Sequence, residues 1–160
     1  MVKSVTNLNP IEMDQFKKLY TKYFIEEEKR NKLGFSLLYE IITKKGSKAL
    51  VDEMIDKIKN GEYLGYIYAG PSSVLGFIIG HDDNTGLAKI TGAYVPTNKY
   101  SFVSLALFRR IAMEFKMRGK RIITIESSIY NDMLMQVAKD NNFDIVNQYQ
   151  DGFGEYEKRI

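Results

Sequence analysis

Apolar residues recur every three to four positions in the first 60 residues, as they do along one face of an α-helix. Asn9-Pro10 predicts a helix start, with Asn9 as the N-cap and Glu12 in the position of a capping box. The apolar positions that follow form one stripe, which we interpret as core-facing rather than as the wall of a substrate pocket. The stripe consists of Phe16, Leu19, Tyr20, Tyr23 and Phe24.

Two further helices and a short strand complete the prediction for this part of the chain. Segment 4–7 favours a short strand, and segment 36–44 favours a short helix that ends at Gly46. Another helix begins with Ser47 as its cap and ends at Asn60-Gly61, because glycine is a common terminator after the last helical turn.

From residue 62 onward the pattern changes to strands. Segments 63–69 and 73–80 flank Gly70-Pro71-Ser72, which predicts a hairpin. The polar run 81–86 predicts the next turn, and we interpret its histidine and acidic residues as turn residues rather than as an acid-base cluster. A strand over 87–95 follows, so we expect a three-stranded antiparallel meander.

A long apolar helix is predicted over 101–118, with Gly119 as its terminator. The β-rich segment 121–127 comes directly after it. Because this strand is reached across a helix, we expect it to lie parallel to the strand over 87–95.

The pattern of residues from 131 onward predicts one more helix and a hairpin. Asn131 can cap a helix that runs to residue 139, and Asn142 can end it in the left-handed conformation. Asp151-Gly152 predicts a hairpin between segments 145–150 and 153–158. The element order therefore predicts an α+β fold with a mixed, mostly antiparallel central sheet and helices on both faces.

The composition is that of one folded domain, and we assign residues 1–160 to it. Apolar residues make up 44% and charged residues 27%, which argues against disorder. The net charge is only +3 without a long basic run, so we expect no nucleic-acid partner. The absence of cysteine and a single histidine exclude disulfides and zinc sites built on several such residues. No segment reads as a signal peptide or a membrane span, so we expect a soluble cytoplasmic protein.

The loop between the strand 87–95 and the helix 101–118 is the strongest candidate for a binding site. Unpaired backbone N–H groups and the helix dipole favour a phosphate or another anion at a helix start. We place the candidate in segment 96–104, where Ser101 and Ser104 add hydroxyl groups but glycines are absent. A plain strand-to-helix connection is the alternative.

This stretch resembles the pyrophosphate-binding loop of the GNAT superfamily of acetyl-CoA-dependent acetyltransferases, and the resemblance extends over nearly the whole chain. Ala93-Tyr94-Val95-Pro96 is similar to the strand end of the family. Lys99 takes the place of its basic residue, whereas Phe102 and Ser104 replace its two glycines. The resemblance assigns cofactor binding to Ala93, Tyr94, Val95, Lys99, Tyr100, Ser101, Phe102, Val103, Ser104, Leu105 and Asn131.

A second motif, in the last third of the chain, is also similar to the family. In its ribosomal-protein N-terminal acetyltransferases, the glutamate that resembles Glu126 is the general base, which takes a proton from the attacking amine. A solvent-facing strand carboxylate is the alternative. Asn131 would bind the pantetheine arm, and Phe143 follows at the family's spacing. The position of the family's tyrosine acid is Ala138, so we consider Tyr130 for that role, with packing as its alternative.

The resemblance implies an N-acetyltransferase that transfers an acetyl group from acetyl-CoA, its co-substrate, to an amine of a small molecule or protein by direct attack. It also implies a bulge at Gly92-Ala93 that separates the two central strands. The alternative is a catalytically inactive protein of the same fold that acts as a binding or structural module. Homodimers are common in the family, so a homodimer is possible here, and we expect no membrane partner.

Overall fold

The computed structural model shows a seven-stranded sheet between helices on its two faces. It describes residues 1–31, 46–95, 101–128, 132–149 and 152–160. The strands are β1 (Val2–Ser4), β2 (Leu64–Ala69), β3 (Val74–Asp82), β4 (Leu87–Tyr94), β5 (Ile122–Ser128), β6 (Asp144–Gln148) and β7 (Phe153–Arg159). The helices are a 3₁₀ turn (Val5–Asn7), α1 (Pro10–Asn31), α2 (Ser47–Lys59), α3 (Ser101–Met117) and α4 (Asp132–Asp140).

The strand order is β1-β2-β3-β4-β5-β7-β6, and β4 and β5 are the only parallel neighbours among the described strands. This confirms the predicted meander, the parallel strand after α3 and the final hairpin. β7 pairs with both β5 and β6, so the last strand of the chain lies inside the sheet. The fold class inferred from the element order is therefore correct.

Two hydrophobic cores lie on opposite faces of the sheet. Helices α1 and α2 enclose one core, in which Phe16, Tyr20, Tyr23 and Phe24 are all buried. This confirms that the aromatic stripe faces the core. Helices α3 and α4 enclose the other core, and the inward residues of β5 belong to it. Among the described residues, no helix combines the length and the apolar content needed to cross a bilayer.

Local signals set most helix ends. The Glu12 N–H donates to Asn9 Oδ1 at 2.8 Å and the Asn9 N–H donates to Glu12 Oε1 at 3.2 Å, which confirms the capping box. Gly61, Gly119 and Asn142 have φ angles of 80°, 82° and 56° after the last turns of α2, α3 and α4. These positive angles end each helix in the left-handed conformation, as predicted.

Three local predictions were wrong. Segment 4–7 is mostly a 3₁₀ turn rather than a strand, because the Ser4 hydroxyl accepts the Thr6 N–H and curls the chain after β1. Ser47 is the first residue of α2 and not its cap; Gly46 holds that position without a side-chain hydrogen bond. β3 continues through His81 and Asp82, which pair with β4, so the polar turn is shorter than expected. The predicted helix 36–44 lies outside the described residues.

Candidate active site

β4 and β5 separate in the middle of the sheet. Their parallel pairing covers only residues 87–89 of β4 and 122–124 of β5. β4 contains a bulge here, since Gly80 of β3 pairs with Ile90 while Ile79 pairs with Gly92, which leaves Thr91 as the extra residue. A bulge bends its strand and strengthens its twist, which separates the end of β4 from β5. The sequence placed this bulge one residue later, at Gly92-Ala93.

The end of β4 presents its backbone to this opening. Ala93 and Val95 are fully buried in the core under α3. Tyr94 points to the opposite face, where its hydroxyl lies 3.1 Å from Lys22 Nζ. Beyond Lys89, β4 has no strand partner on its β5 side within the described residues. Backbone amides and carbonyls of β4 can therefore bind a molecule that enters between the strands.

Helix α1 covers the bulge from the other face of the sheet. The Tyr23 hydroxyl donates to the Thr91 carbonyl oxygen at 3.5 Å. A side chain added at Gly92 would lie 3.5 Å from the Tyr23 ring, so α1 and the bulge are in close contact. The opening between β4 and β5, called the cleft below, thus has these two strands as its sides. The aromatic residues of α1 lie near its edge.

Helix α3 begins at Ser101, beside the end of β4, as the candidate anion site requires. The ring of Phe102 packs against Tyr68 of β2, with centroids 5.7 Å apart. Ser104 follows two residues later and points about 200° away around the helix. One turn after Ser104, Phe108 contacts Phe143 at the end of α4. Phe102, which stands where the family has the first of its two loop glycines, therefore turns toward β2. Ser104 lies on the side of α3 that faces α4.

The Ser104 hydroxyl is buried and has no hydrogen-bond partner among the described residues. Only 1% of this residue is exposed. A buried hydroxyl in that state costs about 1–3 kcal/mol, so such groups are rare in folded proteins. It lies in the first turns of α3, the end of the helix at which the dipole favours an anion. Val103 is also buried there, while Leu105 is exposed.

Glu126 lies on β5, and its carboxylate forms an ion pair with Lys89 of β4. Lys89 Nζ lies 2.9 Å from Glu126 Oε2. Ile123 and Ile125 are buried in the core under α3, so Glu126 points to the opposite face, the one on which α1 and α2 pack. The Glu126 side chain is 56% exposed, in line with the alternative of a solvent-facing carboxylate, and its role as a base stays a prediction. The sequence gave no sign of its cross-strand partner Lys89.

A cavity of about 270 Å³ surrounds the ion pair. It is lined by His81, Asp83, Leu87, Ala88, Lys89, Thr124, Glu126 and Glu155. Three of these side chains are carboxylates and one is a lysine. The cavity is therefore suited to a small polar molecule, and a cationic group is favoured in it.

His81 was interpreted as a turn residue, but it lies in β3 as the direct cross-strand partner of Lys89. Its ring packs against Tyr63, with centroids 4.8 Å apart. Burial, and after it the charge of Lys89, lower the pKa of the His81 imidazole below its usual value. The imidazole is therefore neutral at pH 7. No sequence pattern distinguished it from the polar residues of the following turn.

Several predicted site residues cannot be placed in this cleft. Lys99, Tyr100, Tyr130 and Asn131 lie outside the described residues, so their roles stay predictions. Ala138 is buried in the core between α4 and the sheet, and it provides no hydroxyl at the position of the family's tyrosine. The described residues include no group of three potential metal ligands.

The fold is shared with acetyltransferases of known structure. Aminoglycoside 6'-acetyltransferase type Ii has a TM-score of 0.71 at 16% identity, with 99% of this chain and 96% of that chain covered. The PaiA N-acetyltransferase of Thermoplasma acidophilum, solved with coenzyme A, has a TM-score of 0.70 at 14% identity over 100% and 99% of the two chains. The N-acetyltransferase PseH of Campylobacter jejuni, solved with acetyl coenzyme A, has a TM-score of 0.61 at 14% identity over 99% and 97%.

No protein-family model and no curated protein sequence matches the chain. The structural similarity nevertheless covers the whole sheet and its helices, and it confirms the resemblance drawn from the sequence at the level of the fold. The chain has the GNAT, or acyl-CoA N-acyltransferase, fold.

Proposed function

We propose that the protein is an N-acetyltransferase that uses acetyl-CoA and acetylates a primary amine. One observation carries the proposal: β4 and β5 separate beside the start of α3, where the buried Ser104 hydroxyl has no hydrogen-bond partner among the residues that the structure describes. Proteins of the same fold have been solved with coenzyme A and acetyl coenzyme A. The opening offers unpaired strand backbone to an extended amide-containing arm, and the helix start offers N–H groups to a pyrophosphate.

In this proposal the residues of α3 and β4 hold the cofactor. The first turn of α3 and the Ser104 hydroxyl bind the pyrophosphate, and the backbone from Ala93 to Val95 binds the pantetheine arm. Backbone N–H groups near Val95 polarise the thioester carbonyl, as donors in an oxyanion hole do. Asn131 and Lys99 remain proposed ligands by resemblance alone.

Glu126 is the proposed general base. An acceptor ammonium is not nucleophilic until it loses a proton, and the Glu126 carboxylate can take that proton in the cavity beside the opening. The neutral amine then forms a bond to the acetyl carbon, and the carbon–sulfur bond breaks. Lys89 keeps the Glu126 carboxylate oriented through their ion pair. With Ala138 at the tyrosine position, the thiolate takes its proton from Tyr130 or from water.

Calorimetric titration with acetyl-CoA tests the proposal directly. We expect saturable binding with a dissociation constant between about 1 μM and 1 mM, the usual range of KM values. A rise in melting temperature with ligand concentration should accompany it, because the ligand binds only the folded state. The absence of both heat and a thermal shift at millimolar acetyl-CoA would refute the enzyme proposal.

A non-catalytic module of the same fold is the second candidate, and Ala138 is the observation that favours it. The buried methyl group leaves the described part of the cleft without the phenol that assists the leaving thiolate in the family. Release of coenzyme A thiol in the presence of a panel of primary amines distinguishes the two. Binding without amine-dependent thiol release would favour the module.

Ser104→Ala tests the pyrophosphate site. We expect acetyl-CoA to bind about ten-fold more weakly, because a hydrogen bond to a charged group contributes roughly 1.5 kcal/mol. The free energy of unfolding should not fall, since the hydroxyl has no hydrogen-bond partner in the described part of the chain.

Acetyl-pantetheine, which lacks the pyrophosphate, is the control ligand for this variant. Its affinity should be the same for Ser104→Ala and the wild type. An equal loss of affinity for both ligands would place the effect in the structure of α3 and not in a phosphate contact.

A further inference from the structure

We propose that Lys89 is itself acetylated on Nζ by acetyl-CoA bound in the cleft, with Glu126 as the base. This inference rests on the proposed function, since it uses the same cofactor and the same carboxylate. It adds a covalent modification site within the protein, at a residue that resemblance to the fold family assigns no role as an acetyl acceptor.

The structure already assembles the two groups that the reaction needs. Acetylation of an amine requires a primary amine in contact with a base, and Lys89 Nζ lies 2.9 Å from Glu126 Oε2. Lys89 contacts Oε2 of the same carboxylate that would take the proton of an acceptor ammonium. Lys89 is thus an amine bound at the base before any acceptor arrives.

Lys89 also lies at the point where the strands part. It is the last residue of β4 that pairs with β5, through Thr124. The bulge at Thr91 begins two residues later, about 7 Å along the strand. A lysine side chain is a flexible four-carbon stem, so its amine can move from Glu126 toward the opening. The lysine side chain is 34% exposed, which leaves room for this motion.

The side chains around Lys89 include several titratable groups. The cavity contains Glu126, Glu155 and Asp83 as acids, and His81 faces Lys89 across the β3–β4 ladder. The pKa of His81 is lowered by burial and by Lys89, so the imidazole is neutral when Lys89 is charged. Once acetylated, Lys89 no longer carries a charge, and the ion pair with Glu126 is lost.

The reaction balances without any further reagent. The Lys89 ammonium first gives one proton to Glu126, and the neutral amine attacks the thioester carbon. A nitrogen–carbon bond forms, the carbon–sulfur bond breaks, and the second proton leaves the nitrogen and ends on the coenzyme A thiol. Glu126 returns its proton to water.

Mass spectrometry of the purified full chain, incubated with acetyl-CoA in the absence of any amine acceptor, tests the proposal. Lys3 is a matched internal control, because Lys3 Nζ lies 2.8 Å from Glu12 Oε2 and its side chain is 35% exposed. That pair lies at β1, at the far edge of the sheet from β5. We expect the peptide containing Lys89 to gain an acetyl group about ten-fold faster or more than the peptide containing Lys3.

Two variants test the role of Glu126 as the base and the identity of the acetylated lysine. Glu126→Gln should slow acetylation at Lys89 to the rate at Lys3, and Lys89→Arg should abolish the fast single addition in the intact mass. Equal rates at Lys89 and Lys3, with acetyl-CoA shown to bind by calorimetry, would overturn this inference and leave the proposed function standing. If acetyl-CoA does not bind at all, the proposed function itself is refuted.

Discussion

Glu126→Gln is expected to lower the rate of acetyl-CoA turnover about 100- to 1,000-fold, which is the usual contribution of a general base. Glutamine keeps the size and the hydrogen-bonding capacity of the side chain but cannot accept the proton of an ammonium. The affinity for acetyl-CoA should stay within about two-fold of the wild type, because the proposed cofactor contacts lie on β4 and α3 and the carboxylate lies on β5. The measurements are thiol release with a primary amine and calorimetric titration of the cofactor.

Glu155→Gln provides a matched control for this result. Glu155 of β7 is the direct cross-strand partner of Glu126 and lines the same cavity, but its Oε2 accepts a hydrogen bond from Asn147 at 3.1 Å. It should retain most of the activity. An equal loss of turnover in the two variants would show that the net charge of the cavity matters and not the position of the base. A parallel loss of turnover and cofactor affinity in Glu126→Gln would contradict its assignment as the base.

Gly76→Ala is expected to lower the free energy of unfolding by about 2–3 kcal/mol. An added methyl group would lie 2.5 Å from the Tyr94 carbonyl oxygen and 3.1 Å from Val103 Cγ1. The first of these neighbours is backbone, so β3, β4 or α3 must shift to relieve the overlap. For a chain of this length, the melting temperature should fall by about 4–12 °C.

Gly92→Ala is the comparison for this variant, because it adds the same methyl group to the neighbouring strand. The nearest contact there would be 3.5 Å, to the Tyr23 ring, which is an ordinary van der Waals distance. Its free energy of unfolding should stay within about 0.5 kcal/mol of the wild type. The measurement is thermal unfolding of the two variants under the same conditions. A similar loss of unfolding free energy in both would disprove the steric explanation.

The elements that local chemistry or topology determines were predictable from the sequence. The Asn9–Glu12 capping box and the glycines after α2 and α3 act within a few residues, so a single sequence is enough to recognise them. The parallel pairing of β5 followed from a general rule about strands connected by a helix. The bulge in β4 was placed within one residue by the resemblance to the family, and not by local chemistry.

The details of the site depend on register and helix phase, which a single sequence does not determine. The ion pair between Lys89 and Glu126 exists because Lys89 aligns with Thr124, two residues before Glu126 on the same face of β5. His81 lines the cavity because β3 extends through residues 81 and 82, which the sequence predicted as part of a turn. Ser104 is buried while Phe102 packs against Tyr68 because of the rotation of α3 about its own axis relative to the sheet.

The short ladder between β4 and β5 divides the sheet into two leaves. Strands β1 to β4 form one leaf and β5, β7 and β6 form the other, with only three residues of each central strand hydrogen-bonded across the seam. On one face of the sheet, α4 packs on both β4 and β5, and it also packs on α3, which lies over β2 and β3. A molecule that hydrogen-bonds to β4 inside the seam acts as a substitute strand, so its binding also joins the two leaves mechanically. Amide hydrogens along the seam should then exchange more slowly with solvent when the cleft is occupied.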